Sequence, residues 1–475
     1  MQRLKSDKDR YDAVIIGAGI SGLVCGCYLA KAGMKVLIAE QHSKPGGYCT
    51  SFKRKGFTFD AAAHSFGGYR KNGIVRKVFD ELGIERRLKV NRFDPSDIVI
   101  TPDCKVSFWA DLDSTIKEIQ RAFPEETGNI DKFFSFILNP DPNSFSSIRS
   151  STFKDVLDRF FINEKLKAVL SFPLFGDGGL PPSIMSAFIG SKIFKEYILD
   201  GGHYPEGGMQ TLPDSLAERL KELGGELRLS TRVKRISVRE DRASGVVLEE
   251  GKMLRARYVI SNCDSRQTFL ELLDEEVVKK QCIARINEMI PSLSLFILYL
   301  GIDRSFTSLP IGTNVWYLSS YDLERAYLAA KRADIRNLCG YMIRLSPNER
   351  TVSAYLNLSF KNKPFWDINK ERILKSVIAR IEKTLIPDFT RYILYKETAT
   401  PQTLYRYTLN YKGAAYGWAC TPWQLAEPDL RKPSFIRGLY LTGHWITQGL
   451  GIPGVVYTGY ETAKALLRKE HIKHT

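Results

Sequence analysis

The stretch from Tyr11 to Glu40, YDAVIIGAGISGLVCGCYLAKAGMKVLIAE, decides the fold. Tyr11 to Ile16 is a short continuous apolar run, as in a strand buried on both faces, and it breaks off in Gly17-Ala18-Gly19-Ile20-Ser21-Gly22. Ile20, Leu23, Val24 and Cys27 then recur at the spacing of one helix face, which stops near Gly33. A second apolar strand, Lys35 to Ala39, ends at Glu40. Strand, glycine loop, helix, strand and acid thus succeed one another within about thirty residues, the unit of a Rossmann-type dinucleotide site. Each residue has a physical task there. Gly17 permits the tight turn, Gly19 lets the backbone approach a pyrophosphate, and Gly22 lets helix and strand pack closely. The helix start offers free N–H groups to phosphate, and Glu40 would accept from ribose hydroxyls. A glycine-rich turn in an ordinary βαβ unit is the rival reading; it gives no reason for Glu40 to end the second strand.

The residues after Glu40 distinguish FAD from NAD. Pro45-Gly46-Gly47-Tyr48 makes a second glycine turn directly after the acid, where a nicotinamide domain would continue into a helix, and Gly56-Phe57-Thr58-Phe59-Asp60 comes next. Further on, Gly201-Gly202-His203-Tyr204-Pro205-Glu206-Gly207-Gly208-Met209 leads into a helix with Leu216, Leu220 and Leu223 on one face. Short strands are expected at residues 226–229, 233–238, 245–248 and 253–260, with Glu250-Gly251 as a hairpin turn. Near the C-terminus, Gly438 to Thr442 reads as a strand. Gly443-His444 comes after it, and then Gly449-Leu450-Gly451-Ile452-Pro453-Gly454-Val455 opens a helix running towards Arg468.

On these motifs the chain resembles the flavoprotein group that includes phytoene desaturases, carotenoid isomerases, retinol saturases, amine oxidases and protoporphyrinogen oxidases. The resemblance implies an α/β fold. A Rossmann-type FAD-binding domain, discontinuous over 1–80, 201–285 and 401–475, would interleave with an α+β substrate domain over 81–200 and 286–400. It implies FAD held at Gly17, Gly19, Ile20, Ser21, Gly22 and Glu40, with the Gly46, Gly47 and Tyr48 turn close to the flavin and its phosphates. It also places Val233 near the adenine, Asn262 in the loop after the last strand of that unit, and the helix start at Gly451, Ile452, Pro453, Gly454 and Val455 against the flavin pyrimidine. Free N–H groups and the positive dipole end there stabilise charge on the reduced ring. Two positions depart from the group's pattern. Ala61-Ala62-Ala63-His64 replaces the glycine that often comes after the Asp, and His444 replaces a small or acidic residue after Gly443. His64 is the candidate acid/base group near the ring, with a structural histidine as the rival reading; His444 reads as a packing or supporting group.

No second dinucleotide fingerprint occurs, so electrons are expected to leave to oxygen, a quinone or another acceptor. Pro181-Pro182-Ser183 is expected to begin a helix whose stripe of Ile184, Met185, Phe188, Ile189, Ile193 and Phe194 packs in a core or, as a membrane-facing helix near 181–197, admits a lipid. With no catalytic triad order, paired carboxylates or metal-ligand spacing, chemistry falls to the flavin. An FAD-dependent oxidoreductase, a desaturase, saturase or isomerase of an apolar polyene, carotenoid-like or prenyl-lipid substrate, is the main expectation. Two alternatives remain. One is an amine or porphyrinogen oxidase on the same scaffold, whose site Trp316, Tyr341 and Tyr416 could line; the other is a non-catalytic lipid-binding escort protein, against which the GIPGV turn argues.

The 475 residues carry a net charge of +16, which suits a solvated basic surface or an anionic membrane surface; no Lys/Arg block or motif points to nucleic acid. The eight cysteines are scattered without metal-ligand spacing, so a reducing compartment and no metal are expected. The charged start MQRLKSDKDR does not read as a secretory signal, and the longest apolar run, Leu293 to Ile302, is too short to span a bilayer. A cytoplasmic protein, peripheral on the membrane if the basic surface meets anionic lipid, is the expectation.

Overall fold

The structure, a computed structural model, describes residues 9–139, 148–426, 433, 435–446 and 450–470. Residues 1–8, where no signal is expected, and Gly449 lie outside them. Arg10–Ile16 forms the centre of a parallel sheet, with Met253–Ser261 on one side and Val36–Ala39 on the other. Leu439–Leu441 pairs beyond the first neighbour and Glu226–Arg228 beyond the second, both parallel. Three distant stretches of sequence therefore meet in one sheet. The hairpin Val233–Arg239 and Arg242–Leu248 extends it antiparallel, turning tightly through Glu240 and Asp241, whose φ values are 50° and 56°. No hairpin is legible in the sequence at this mirror-image turn, because Glu240-Asp241 lacks the glycine that usually marks one.

The glycine-loop helix spans Ile20–Lys31, and each residue from Ile20 to Ala30 is buried. The periodicity marks one face; the structure covers the others too, because the helix lies between Thr211–Glu222 and the C-terminal helix Gly451–Lys469. Small residues make this possible: a Cβ on Gly459 would lie 2.5 Å from the Ser21 carbonyl oxygen.

The second sheet runs in the order Ile393–Ala399, Ser294–Ile302, Thr351–Leu358, Gly340–Leu345, Asn314–Leu318, Asp97–Ile100, Lys105–Phe108. Its pairs are antiparallel except between Asn314–Leu318 and Asp97–Ile100. Ser294–Ile302 is buried at every position, as its unbroken apolar run requires. Helices including Leu112–Ala122, Thr127–Leu138, Phe153–Phe160 and Glu164–Gly178 cover this sheet around a phenylalanine-rich core. Phe57 and Phe59, carried by a hairpin next to the first sheet in sequence, also pack in this second core.

The stretch after Pro181 differs from expectation. A turn occupies its start, and the helix runs only over Ala187–Ile193 before widening into a π-turn at Phe194–Ile198. Met185, Ile189, Ile193 and Phe194 point into the core. Only Ile184 and Phe188 of the predicted stripe stay half-buried, and the Lys192 ammonium sits 4.5 Å from the Phe188 ring centre. The stripe is therefore core packing and not a broad membrane-facing surface. Among the described residues no helix is long and apolar enough to cross a membrane.

Candidate active site

The two sheets enclose one long cavity. Its far end is lined by Glu40, Arg232 and Val233, its middle by the two glycine turns, and its near end by Leu295, Trp316 and Met342 of the second sheet. Of the residues singled out in the sequence, Gly17, Gly19, Ile20, Ser21, Glu40, Gly46, Gly47, Tyr48, His64, Val233, Asn262, Gly443, His444, Gly451, Ile452 and Val455 line it. Gly22, Pro453 and Gly454 stand behind the wall. Gly22 is held there by packing: a Cβ on it would lie 2.4 Å from the Gly17 carbonyl oxygen and 3.0 Å from Asn262 Nδ2. Of the three aromatic residues considered for an oxidase site, Trp316 and Tyr416 line the cavity. Tyr341 does not; it is buried behind, with its hydroxyl 2.9 Å from Thr384 Oγ1.

Backbone atoms build the middle of the cavity. The Gly46 amide donates to the Ala18 carbonyl at 2.9 Å, which ties the second glycine turn to the first. Asn262 Nδ2 donates to the Gly17 carbonyl at 3.2 Å, and a Cβ on Gly443 would lie 2.7 Å from Asn262 Oδ1. Asn262 thus fixes the glycine loop against the strand end at Gly443. Ser21 Oγ lies 2.6 Å from Thr442 Oγ1 and 3.1 Å from Thr458 Oγ1, so a buried hydroxyl trio joins the first helix, the last strand and the last helix. Thr442 and Thr458 carry no sequence signal of their own; their partner is over four hundred residues away.

Glu40 accepts from the Ala18 amide at 2.7 Å through Oε2 and from the His42 amide at 2.9 Å through Oε1. A carboxylate has about four lone-pair sites, so it retains acceptors for hydroxyls in the cavity. At the other end, the Ile452 amide donates at 2.5 Å to the Tyr197 hydroxyl, whose presence the sequence did not signal. Bare glycine backbone, the start of the C-terminal helix at Gly451 and Ile452, a free-sided carboxylate and an end lined by Leu295, Trp316 and Met342 together fit FAD: phosphates at the loop, ribose at Glu40, flavin near Gly443 and Gly451.

His64 and His444 are both neutral. Burial pushes the His64 imidazole down to about 3, helped by the nearby Arg344 cation, and burial alone takes His444 down to about 4. His64 Nδ1 lies 3.4 Å from the Ala62 carbonyl and its ring packs 4.9 Å from Tyr355, while Arg344 donates to the His64 carbonyl. His444 packs between Tyr48 and Trp445. The unfolded chain protonates both near their ordinary value while the folded chain does not, so stability falls as pH drops from about 6.5 towards 4. Each histidine should contribute a slope of about 1.4 kcal/mol per pH unit in that window. Urea unfolding of His444→Gln, compared with the parent across the window, should show a shallower decline; identical slopes would contradict the burial of a neutral imidazole.

A dinucleotide cleft on a parallel sheet, opening into an apolar chamber on a second sheet, is the architecture of FAD-dependent oxidoreductases. The chain belongs to the Flavin containing amine oxidoreductase family, whose pattern matches residues 20–467. It is an enzyme, and its cofactor is FAD. It is similar to the all-trans-retinol 13,14-reductase of Danio rerio, 26% identical over 91% of this chain and 82% of that protein. The chloroplastic prolycopene isomerase of Daucus carota is 26% identical over 94% of this chain and 78% of its own length. The neurosporene-forming phytoene desaturase of Rhodobacter capsulatus is 24% identical over 96% of this chain and 93% of its own. Among solved structures, an oxidoreductase from Methanosarcina mazei superposes with a TM-score of 0.67 at 17% identity, covering 95% of this chain and 99% of that one. The cyclohexylamine oxidase of Brevibacterium oxydans gives 0.63 at 16% identity, over 97% and 99%.

Proposed function

We propose that the chain is a desaturase, saturase or isomerase acting on carbon–carbon bonds of an apolar polyene, carotenoid-like or prenyl-lipid substrate. The observation that carries this reading is the near end of the cavity. Trp316, Met342 and Tyr355 stand side by side across three strands, with Leu295 and Asn357 paired in the next row, and all five face the cavity. Such a wall suits a flat hydrocarbon chain. The sequence relatives that act on retinol, prolycopene and phytoene support the same class of substrate.

In this reading the FAD-binding domain gathers residues 1–80, 201–285 and 401–475, and the substrate domain 81–200 and 286–400. The pyrophosphate lies on residues 17–22, the ribose at Glu40, the adenine by Val233, and the flavin pyrimidine at the helix start from Gly451. Gly46, Gly47, Tyr48, Asn262, Gly443 and His444 complete the cofactor's walls. His64, neutral and partnered by a carbonyl, positions and does not transfer protons. Electrons pass to or from oxygen, a quinone or another external carrier. The basic surface holds the protein peripherally on anionic membranes, on the cytoplasmic side, where such a substrate is dissolved.

Two measurements check these points. Reduced or oxidised holoenzyme mixed anaerobically with retinol, phytoene or a poly-cis carotene should change flavin redox state or isomerise the polyene. Inertness towards all three, together with rapid flavin reduction by cyclohexylamine or putrescine, would favour the amine oxidase reading instead. Sedimentation with phosphatidylserine vesicles should capture the protein at low salt and release it as salt rises; no capture at low salt removes the membrane assignment.

A further inference from the structure

Asp177, half-buried at the cavity wall, is held unlike the acids buried around it. It lies in the last turn of the helix Glu164–Gly178 and lines the near end of the cavity. The carbonyls around it are occupied: Asn357 Nδ2 donates to Phe175 at 2.9 Å and to Gly176 at 3.3 Å, and the Tyr416 hydroxyl donates to Gly176 at 2.8 Å. The Asp177 carboxyl itself makes no hydrogen bond or ion pair with any described residue. Asp97, by contrast, accepts from Asn314 at 3.0 Å and Trp316 at 2.8 Å, and Asp60 from the hydroxyls of Ser51 and Tyr204, both at 2.7 Å.

The surroundings favour the neutral acid. Burial drives the Asp177 carboxyl well above the ordinary carboxylate range, and the nearby Asp97 adds to the effect. The negative end of its own helix acts in the same direction. The other titratable groups that feel it, Tyr197 and Tyr416, are hydroxyls pushed upward in turn, and no cation among the described residues faces it. The result is an O–H bond with no acceptor among the described residues, open to whatever fills the cavity.

We propose that Asp177 is the proton donor in reduction of a carbon–carbon double bond, which makes this chain a saturase among the activities its site allows. The inference rests on the polyene reading. In the step, the Asp177 O–H bond breaks and the double bond's π pair forms a C–H bond to that proton. The second carbon takes a hydride with its electron pair from reduced FAD, which an external two-electron donor has charged. One double bond becomes single, FAD is left oxidised, and the Asp177 carboxylate recovers its proton from water.

The test uses holoenzyme and its Asp177→Asn variant. Their infrared difference spectrum at neutral pH should contain the C=O stretch of a protonated carboxyl, shifted in D2O; absence of that band overturns the proposal. Dithionite-reduced holoenzyme mixed anaerobically with all-trans-retinol should reoxidise, and the variant should do so about 100-fold or more slowly. The variant should keep its FAD and still quench flavin fluorescence on binding retinol. Equal rates overturn the role of Asp177 and leave the polyene reading standing. No reoxidation of the parent, with tight cyclohexylamine binding that the variant loses, overturns both and makes Asp177 an ammonium anchor.

Discussion

Gly22→Val should yield a chain that folds its second sheet and retains little FAD. Gly22 has no freedom to yield: the nearest neighbour to an added Cβ is the Gly17 carbonyl at 2.4 Å, and next comes Asn262 Nδ2 at 3.0 Å. The first is backbone, and the second belongs to the side chain that braces the loop through its bond to Gly17. A valine must push the helix Ile20–Lys31 away from the strand Arg10–Ile16 and carry the loop's N–H groups with it. Overpacking of this kind costs about 1–3 kcal/mol, which taken from cofactor binding alone weakens FAD by about 5- to 150-fold. The ratio of flavin absorbance to protein after gel filtration measures it, and unchanged occupancy would show that the loop does not cradle the cofactor. Ser21→Ala is the milder companion. It removes one member of the hydroxyl trio with Thr442 and Thr458 and should lower the unfolding free energy by about 1–3 kcal/mol without emptying the site.

Gly451→Val should shift the flavin's reduction potential. Gly451 has φ of 61°, where a β-branched residue is strained, and its Cβ would lie 1.9 Å from the Tyr197 hydroxyl that accepts from the Ile452 amide. The first turn of the C-terminal helix must move, carrying its positive dipole end away from the cavity. A helix end that stabilises the anionic reduced ring by about 1–2 kcal/mol lowers the two-electron midpoint by roughly 20–40 mV when it is lost. Redox titration of the holoprotein against a reference dye reads this directly. A potential equal to the parent's would place the flavin ring away from Gly451.

The nucleotide half of this molecule is legible in the sequence because its chemistry is local. Gly17, Gly19, Gly22 and Glu40 sit within one strand–helix–strand unit, and backbone geometry alone dictates glycine at the turns. Gly443 and Gly451 are readable for the same reason. The chamber beyond is different. Trp316, Met342 and Tyr355 become neighbours only through the register of three antiparallel strands, and each alone reads as an ordinary core residue. Asp177 sits among glycines, in Gly176-Asp177-Gly178-Gly179, a composition that by itself signals a turn; the structure makes it the end of a helix that lines the cavity. Tyr197 is hidden in the same way, on a turn widened to π geometry just past the apolar stripe that ends at Phe194. Local motifs therefore specify the cofactor, while long-range pairing specifies what meets it.

That this cavity holds FAD as a working redox centre is tested most directly by the absorption spectrum of the purified chain, before and after anaerobic dithionite. The expected result is the two visible maxima of bound flavin at about one FAD per chain, bleached on reduction. A folded, colourless chain that takes up no flavin from excess FAD would contradict it.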